Sequence, residues 1–223
     1  MDLNKKIRDL IDAHTSNPYA YSSDDIRQSV INYTECLDFN IKDDDIKKGL
    51  NALYNYMGID EFSNKSCIIT NSVNGKIANY LYENIYIYSF DNDYYCSMVS
   101  QIVNAEKNKK DKIQFLFGDI SQFFTSEFKS NFKTDFVITS PSQYNNTYQH
   151  LDSEMKFRKM NQYEYYTKRS IDFLFVGGIC LSIVPTREER FIVNQLMSYD
   201  IPVSVLGTIK FDGGYSFIYI KKA

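Results

Sequence analysis

The stretch Cys67-Ile68-Ile69-Thr70-Asn71-Ser72-Val73-Asn74-Gly75 joins a short apolar run to a polar loop that ends on glycine. The run from Cys67 to Thr70 is brief and almost wholly apolar, which predicts a buried strand. The amphipathic residues 76–82, which follow the loop, predict a helix. A strand, a loop and a helix in this order form the first unit of an alternating β–α chain.

The same alternation continues to the end of the chain. It predicts strands at 67–70, 85–90, 113–117, 135–139, 179–184, 203–211 and 215–221, and helices at 76–82, 94–104, 163–175 and 188–199. Alternating elements imply right-handed crossovers and a parallel sheet with helices on both faces. The turn Asp212-Gly213-Gly214 predicts that the last strand returns antiparallel. The predicted fold class is therefore α/β, with a seven-stranded, mostly parallel sheet and a terminal antiparallel strand over residues 60–223.

Residues 1–59 are predicted to form an N-terminal helical extension. Apolar residues at helical spacing, preceded by capping residues, predict helices near 3–14, 24–37 and 44–57. The acidic runs Ser22-Ser23-Asp24-Asp25 and Asp43-Asp44-Asp45 fit water-exposed first turns of helices. Neither run has the spacing of a calcium-binding loop, so we expect no metal there.

Composition limits the classes of function. The chain has 223 residues, 43% of them hydrophobic, which is enough for one sizeable core. A net charge of −3 excludes an overall basic field that would hold nucleic acid. The four cysteines and two histidines are widely spaced, which predicts free thiols and no metal site. With no apolar signal core and no run near the roughly 20 residues of a membrane span, we expect a cytoplasmic protein.

Polar residues follow the predicted strands, where ligands bind in open α/β sheets. The first strand runs into the loop 71–75, and its glycine lets the backbone approach a ligand closely. The second strand ends on Asp91, which is placed to accept hydrogen bonds from a ribose diol. The third ends on Gly118-Asp119, whose carboxylate can meet an exocyclic amine, and the fourth ends on Ser140-Pro141.

These motifs resemble those of the Rossmann-like methyltransferases that use S-adenosylmethionine, and within them the enzymes that modify adenine N6 in DNA. The resemblance covers residues 60–223. It rests on Ile68-Ile69-Thr70-Asn71-Ser72-Val73-Asn74-Gly75, Tyr88-Ser89-Phe90-Asp91, Phe117-Gly118-Asp119-Ile120, Phe136-Val137-Ile138-Thr139-Ser140-Pro141 and the glycine turn Val176-Gly177-Gly178-Ile179.

The resemblance implies a cofactor and a set of roles. S-adenosylmethionine would be held by Asn71, Gly75, Asp91, Gly118 and Asp119, and the catalytic loop would be Ser140, Pro141 and Tyr144. In that chemistry, hydrogen bonds from the adenine amine to a side-chain oxygen and a backbone carbonyl direct its lone pair toward the methyl group. An aromatic side chain stacks on the flipped base.

Two departures from the family pattern leave two functions open. Asn71 stands where the family has an acid, and Ser140-Pro141-Ser142-Gln143 replaces the usual Pro-Pro-aromatic order, with Tyr144 one place late. One function is an active or weakly active adenine-type methyltransferase. The other is a catalytically retired methyltransferase fold that serves as a subunit or scaffold in a nucleic-acid-associated or viral assembly.

One stretch that combines basic and aromatic residues is relevant to whether the protein binds nucleic acid. Its residues are Lys156, Arg158, Lys159, Lys168 and Arg169, interleaved with Tyr163, Tyr165 and Tyr166. This pattern suits single-stranded nucleic acid, or alternatively an amphipathic helix with a solvated charged face. Because about thirty residues are too few for a target-recognition region, we expect DNA or RNA recognition to be supplied by a protein partner or by the N-terminal helices.

Overall fold

The computed structural model describes residues 2–17, 23–31, 33, 41–58, 64–71, 75–81, 85–91, 93–105, 112–118, 132–140, 148–151 and 157–223. The helices are α1 (Leu3–Ser16), α2 (Ser23–Val30), α3 (Asp43–Met57), α4 (Lys76–Tyr80), α5 (Tyr94–Asn104), α6 (Gln162–Asp172) and α7 (Thr186–Leu196). The strands are β1 (Ser66–Thr70), β2 (Tyr86–Asp91), β3 (Ile113–Phe117), β4 (Thr134–Thr139), β5 (Tyr148–Leu151), β6 (Phe157–Met160), β7 (Leu174–Pro185), β8 (Val203–Phe211) and β9 (Tyr215–Lys222).

Seven strands form one mixed sheet in the order β3-β2-β1-β4-β7-β9-β8. The pairs from β3 to β7 are parallel, and β9 runs antiparallel to both of its neighbours. The glycine turn before β9 is closed by a bond from Gly214 N to Phe211 O (3.1 Å), with Gly214 at φ 82°. The predicted α/β class, with a mostly parallel sheet and a terminal antiparallel strand, is confirmed.

Both faces of the sheet are buried, which explains why the central residues of β1, Cys67, Ile68 and Ile69, are all apolar instead of alternating with polar residues. On one face Cys67 and Ile69 pack with α3 and α4, and on the other Ile68 packs with residues of α6 and α7. A third cluster joins α1 and α2 to α5. Since α3 shares a core with the sheet, its apolar stripe is buried on the domain, and the proposed boundary between residues 59 and 60 stays a prediction.

The acids at the start of α3 were expected to face water, and two of them are only partly exposed and also bind other elements. The Asp43 carboxylate accepts a hydrogen bond from the Tyr80 hydroxyl (2.7 Å), and Asp45 accepts one from the Tyr215 hydroxyl. Of the three, Asp44 alone is exposed. These bonds attach the first turn of α3 to α4 and β9, a role that a capping pattern does not reveal.

Three further details differ from the sequence prediction. A short antiparallel hairpin, β5–β6, lies in a stretch for which no strands were predicted. The predicted helix 163–175 ends at Asp172, because β7 begins at Leu174. The pairing of β7 with β4 is irregular: Leu174 pairs with Thr134, and the next paired residue of β7 is Ile179. Cys96 is disulfide-bonded, whereas four free thiols were expected; Cys67 and Cys180 are free and buried.

Gly49 allows α3 to approach β9, and its substitution tests that packing. A Cβ at this position would overlap the Phe217 ring, while the Tyr219 hydroxyl donates to Gly49 O (2.9 Å). Gly→Ala in an open helix gains about 1 kcal/mol, but overpacking costs about 1–3 kcal/mol. We expect Gly49→Ala to lower the free energy of unfolding in urea. Asn51→Ala, on the exposed side of α3, is the control and should be neutral or slightly stabilising.

Candidate functional site

Backbone pairing continues past the ends of the central strands and brings the loops to one edge of the sheet. Asn71 N donates to Phe90 O (2.7 Å), and Ser140 N donates to Thr70 O (3.0 Å). Gly118 N donates to Asp91 O (2.9 Å). The carboxyl ends of β1, β2, β3 and β4 therefore lie side by side, as the sequence analysis expected for Asn71, Asp91, Gly118 and Ser140.

Asp91 ends β2 with its carboxylate turned into the protein. The residue is 1% exposed, and its Oδ2 accepts a hydrogen bond from the Ser100 hydroxyl (3.0 Å), which is itself fully buried on α5. A carboxylate has about four lone-pair sites, so this bond uses part of its acceptor capacity. Ser100 holds the side chain in a single orientation at the strand end.

Asn71 and Gly75 bound the predicted cofactor loop, and both have left-handed backbone conformations. Asn71 has φ 65°, which asparagine tolerates better than most residues, and turns the chain at the end of β1. Gly75 has φ 74° and precedes α4. A Cβ on Gly75 would lie 2.6 Å from Asn104 Nδ2 and 2.9 Å from Ser100 Cα. Glycine is therefore needed here for close packing against α5, and its predicted approach to a ligand stays a prediction.

Gly118 is different, because no described residue packs against it. Its φ of 148° is rare for other residues, and a Cβ there would meet no atom of the described residues within 4 Å. Next to it, Phe117 is 64% exposed and makes an edge-on ring contact with Tyr94, the first residue of α5 (centroids 6.1 Å apart). Asp91, Gly118 and this aromatic pair together offer an acceptor, an open backbone and an apolar surface.

Ser140 lies at the end of β4 and is buried. Beneath it, the Thr70 hydroxyl donates to Thr139 Oγ1 (2.7 Å), and both threonines are buried. This bond joins the ends of β1 and β4 below the predicted catalytic loop. The predicted residues Asp119, Pro141 and Tyr144 lie outside the described part of the chain, so their roles stay predictions.

The structure adds two residues that the sequence analysis did not select, Ser100 and Asn104. Asn104 Nδ2 donates to Ser100 O (2.8 Å) and to Gly75 O (3.2 Å), so it ties α5 to the start of α4. Both residues are buried. A signal was present: Ser97, Ser100 and Asn104 recur at helical spacing on a helix that is otherwise largely apolar. A polar stripe on a buried helix face indicates polar partners across the interface.

The last two cations of the basic stretch, Lys168 and Arg169, do not lie on a surface. They therefore form neither the predicted nucleic-acid contact nor the alternative, a solvated helix face. Lys168 is 2% exposed and pairs with Glu164 (2.9 Å), and the buried Arg169 pairs with Asp172 (3.0 Å). The Tyr199 hydroxyl donates to Asp172 Oδ1 (2.7 Å), and burial, together with that carboxylate, raises the pKa of Tyr199. These ion pairs form between neighbouring turns of α6 and allow its C-terminal half, from Tyr166 to Asp172, to be buried.

The described residues hold neither a metal site nor a membrane-spanning helix. They contain no cluster of His, Cys, Asp and Glu side chains suited to hold a metal ion. None of their helices is long and apolar enough to cross a membrane. The predicted cytoplasmic location stays a prediction.

The bond between Ser100 and Asp91 predicts a measurable cost for its removal. Ser100→Ala leaves the buried carboxylate with one donor fewer, so we expect the free energy of unfolding to fall by about 1–3 kcal/mol. Ser97→Ala is the matched control on the same helix, because Ser97 is equally buried but accepts only a long bond from Gln101 (3.4 Å). Equal losses in urea denaturation would contradict a special role for Ser100.

Comparison with known proteins identifies the fold. No protein-family model and no curated protein matches the sequence. Among solved structures, an O-methyltransferase from Bacillus cereus in complex with SAH matches 99% of this chain and 100% of its own, with TM-score 0.62 and 9% identity. TrmN from Thermus thermophilus matches 82% of this chain, with TM-score 0.54 and 12% identity, but the chain spans only 49% of TrmN.

A precorrin 8w decarboxylase from Methanobacterium thermoautotrophicum matches 78% of this chain and 88% of its own, with TM-score 0.53 and 11% identity. At such low identities the likeness concerns the fold, and one fold carries several reactions. The chain has the Rossmann-like fold of the methyltransferases that use S-adenosylmethionine.

Proposed function

We propose that the protein binds S-adenosylmethionine at the carboxyl edge of β1, β2 and β3 and transfers its methyl group to an amino nitrogen of adenine in DNA or RNA. The observation that carries this proposal is the set of three backbone bonds that brings Asn71, Asp91, Gly118 and Ser140 to one edge. In open α/β sheets, this edge is where ligands bind.

The residues at the edge fit a nucleoside. Asp91 supplies a carboxylate for ribose hydroxyls, and Ser100 fixes its direction. The backbone at Gly118, against which no described residue packs, and the exposed rings of Tyr94 and Phe117 suit the flat face of a base. S-adenosylmethionine, when bound, supplies an electrophilic methyl group. The chain's own residues would orient that cofactor and exclude water from the transfer.

The acceptor would be held by the loop after β4. The Ser140 hydroxyl and the backbone near Pro141 would accept hydrogen bonds from the amine, and Tyr144 would stack on the base. Ser140 is fixed from below, since its backbone N–H bonds to Thr70 O and its neighbour Thr139 bonds to Thr70. A rigid acceptor of this kind acts by positioning, which is the main source of rate in such transfers.

A second candidate is a non-catalytic subunit or scaffold with the same fold. One observation favours it: Asp91 is almost fully buried and already bonded to Ser100, so a ribose would have to reach an enclosed carboxylate. The changed residues Asn71, Ser142 and Gln143 point the same way. In both cases, the burial of Lys168 and Arg169 favours a protein partner that supplies nucleic-acid recognition.

Cofactor binding can be tested with Asp91→Asn, which keeps the shape of the side chain and removes its charge. Loss of a charged hydrogen bond costs about 1.5–3 kcal/mol, so affinity for S-adenosylmethionine in calorimetry should fall about ten- to a hundredfold. Asp200→Asn, on an exposed residue remote from the edge, should bind like the parent protein. If Asp91→Asn binds S-adenosylmethionine as tightly as the parent protein, the pocket lies elsewhere. If the parent protein does not bind it at all, the non-catalytic subunit or scaffold is supported.

Catalysis can be tested with Ser140→Ala. We expect methyl transfer to adenine-containing oligonucleotides to slow about tenfold or more while cofactor affinity is kept, because the lost bond belongs to the transition state. Ser204→Ala, an exposed serine of β8, is the control. Restoring Pro at Ser142 and an aromatic at Gln143 should raise transfer. If parent and restored proteins bind the cofactor but transfer nothing to DNA or RNA, the non-catalytic subunit is the better account.

A further inference from the structure

A cavity of about 350 Å³ lies between α1, α5 and β3, away from the cofactor edge. Its apolar wall includes Met98 and Ile102 of α5 and Ile113 and Phe115 of β3. Ile113 is the first residue of β3, whereas the predicted cofactor edge is at the other end of that strand. Of the predicted site residues that the structure describes, Asn71, Gly75, Asp91, Gly118 and Ser140, none lines the cavity. Its volume is in the range of small-molecule sites.

Two lining residues carry polar atoms that have no partner. Asn104 is 3% exposed, and its Oδ1 is buried without a hydrogen bond. Its Nδ2 donates to two carbonyl oxygens, which fixes the orientation of the amide and makes the unpaired atom an acceptor. Nδ1 of His14, in the last turn of α1, is likewise buried and unpaired. Buried polar atoms are nearly always satisfied, so such a pair indicates a missing partner.

We propose that this cavity binds a small, neutral, flat nitrogen heterocycle. The ring system would lie against Met98, Ile102 and Phe115, an N–H of the ligand would donate to Asn104 Oδ1, and a second ring nitrogen would bond to His14 Nδ1. Among the described residues, the lining has no Lys, Arg, Asp or Glu that would neutralise a charged ligand. This lining favours free heterocyclic bases or similar ring amines over phosphorylated nucleotides. This proposal is independent of methyl transfer.

The test compares two bicyclic probes of the same size, benzimidazole and indene, by calorimetry at neutral pH. Benzimidazole has a ring N–H and a ring nitrogen acceptor, and indene has neither. We expect saturable one-to-one binding of benzimidazole and binding of indene weaker by about fivefold or more, the effect of one typical hydrogen bond. Equal affinities would overturn the polar pairing, and no saturable binding of either probe would overturn the site, with the cavity holding water only.

Variants show whether the binding occurs in this cavity. Ala105→Met, at the end of α5, should fill the space and abolish binding of both probes, and Ala13→Met, on α1 but outside the lining, should leave it unchanged. His14→Phe keeps an aromatic ring and removes the nitrogens, so it should weaken benzimidazole about fivefold and leave indene unaffected. Asn104→Leu should do the same, but it also breaks the bond to Gly75 and needs a folding check. Binding that survives Ala105→Met in a folded protein would overturn the assignment.

Discussion

The buried carboxylate of Asp91 is the constraint on which the arrangement around the site depends. A carboxylate removed from water must be hydrogen-bonded, and α5 supplies the donor through Ser100. Helix α5 must then lie close to the end of β2. That closeness leaves no room for a side chain at residue 75, where a Cβ would press on Ser100 and Asn104. The glycine at position 75 and its left-handed conformation before α4 are therefore consequences of packing α5 against the end of β2.

The N-terminal helices contribute to the same constraint from the outside. Helices α1 and α2 form a cluster with Cys96, Val99 and Val103 of α5. They therefore hold α5, the helix that binds Asp91, against the sheet. Helix α3 is attached separately, through its core contacts and through Asp43 and Asp45. The extension is thus connected by packing to the carboxyl edge of β1, β2 and β3, although it contributes none of the predicted cofactor residues.

Much of the fold could be predicted because its signals are local. The continuous apolar run of β1 and the Gly213-Gly214 turn are visible in the sequence itself, and all seven strands of the main sheet were predicted near their observed places. What failed depends on contacts between distant residues. Lys168 and Arg169 look like surface cations until their partners one helical turn away are seen to be buried with them. The close packing of Gly75 against α5 is also not visible in the sequence, and its predicted cofactor contact stays a prediction. The burial of Asp91 and the cavity at His14 likewise cannot be derived from spacing.

The fold does not decide between enzyme and subunit, because that choice depends on the loop after β4. Relative to the family pattern, the aromatic residue stands one place late, at Tyr144. Consecutive Cα atoms are about 3.8 Å apart, while a misplacement of about 1 Å can cost a hundredfold in rate. If the loop followed the same backbone path as in the adenine-type methyltransferases that the sequence resembles, Gln143 would occupy the position of their base-stacking aromatic residue. Glutamine has no aromatic ring. If the chain acts as the proposed adenine-type enzyme, the backbone between Pro141 and Tyr144 must therefore take a path that absorbs one extra residue. Serine at position 142, where the enzymes it resembles have proline, does not fix φ and so permits such a path.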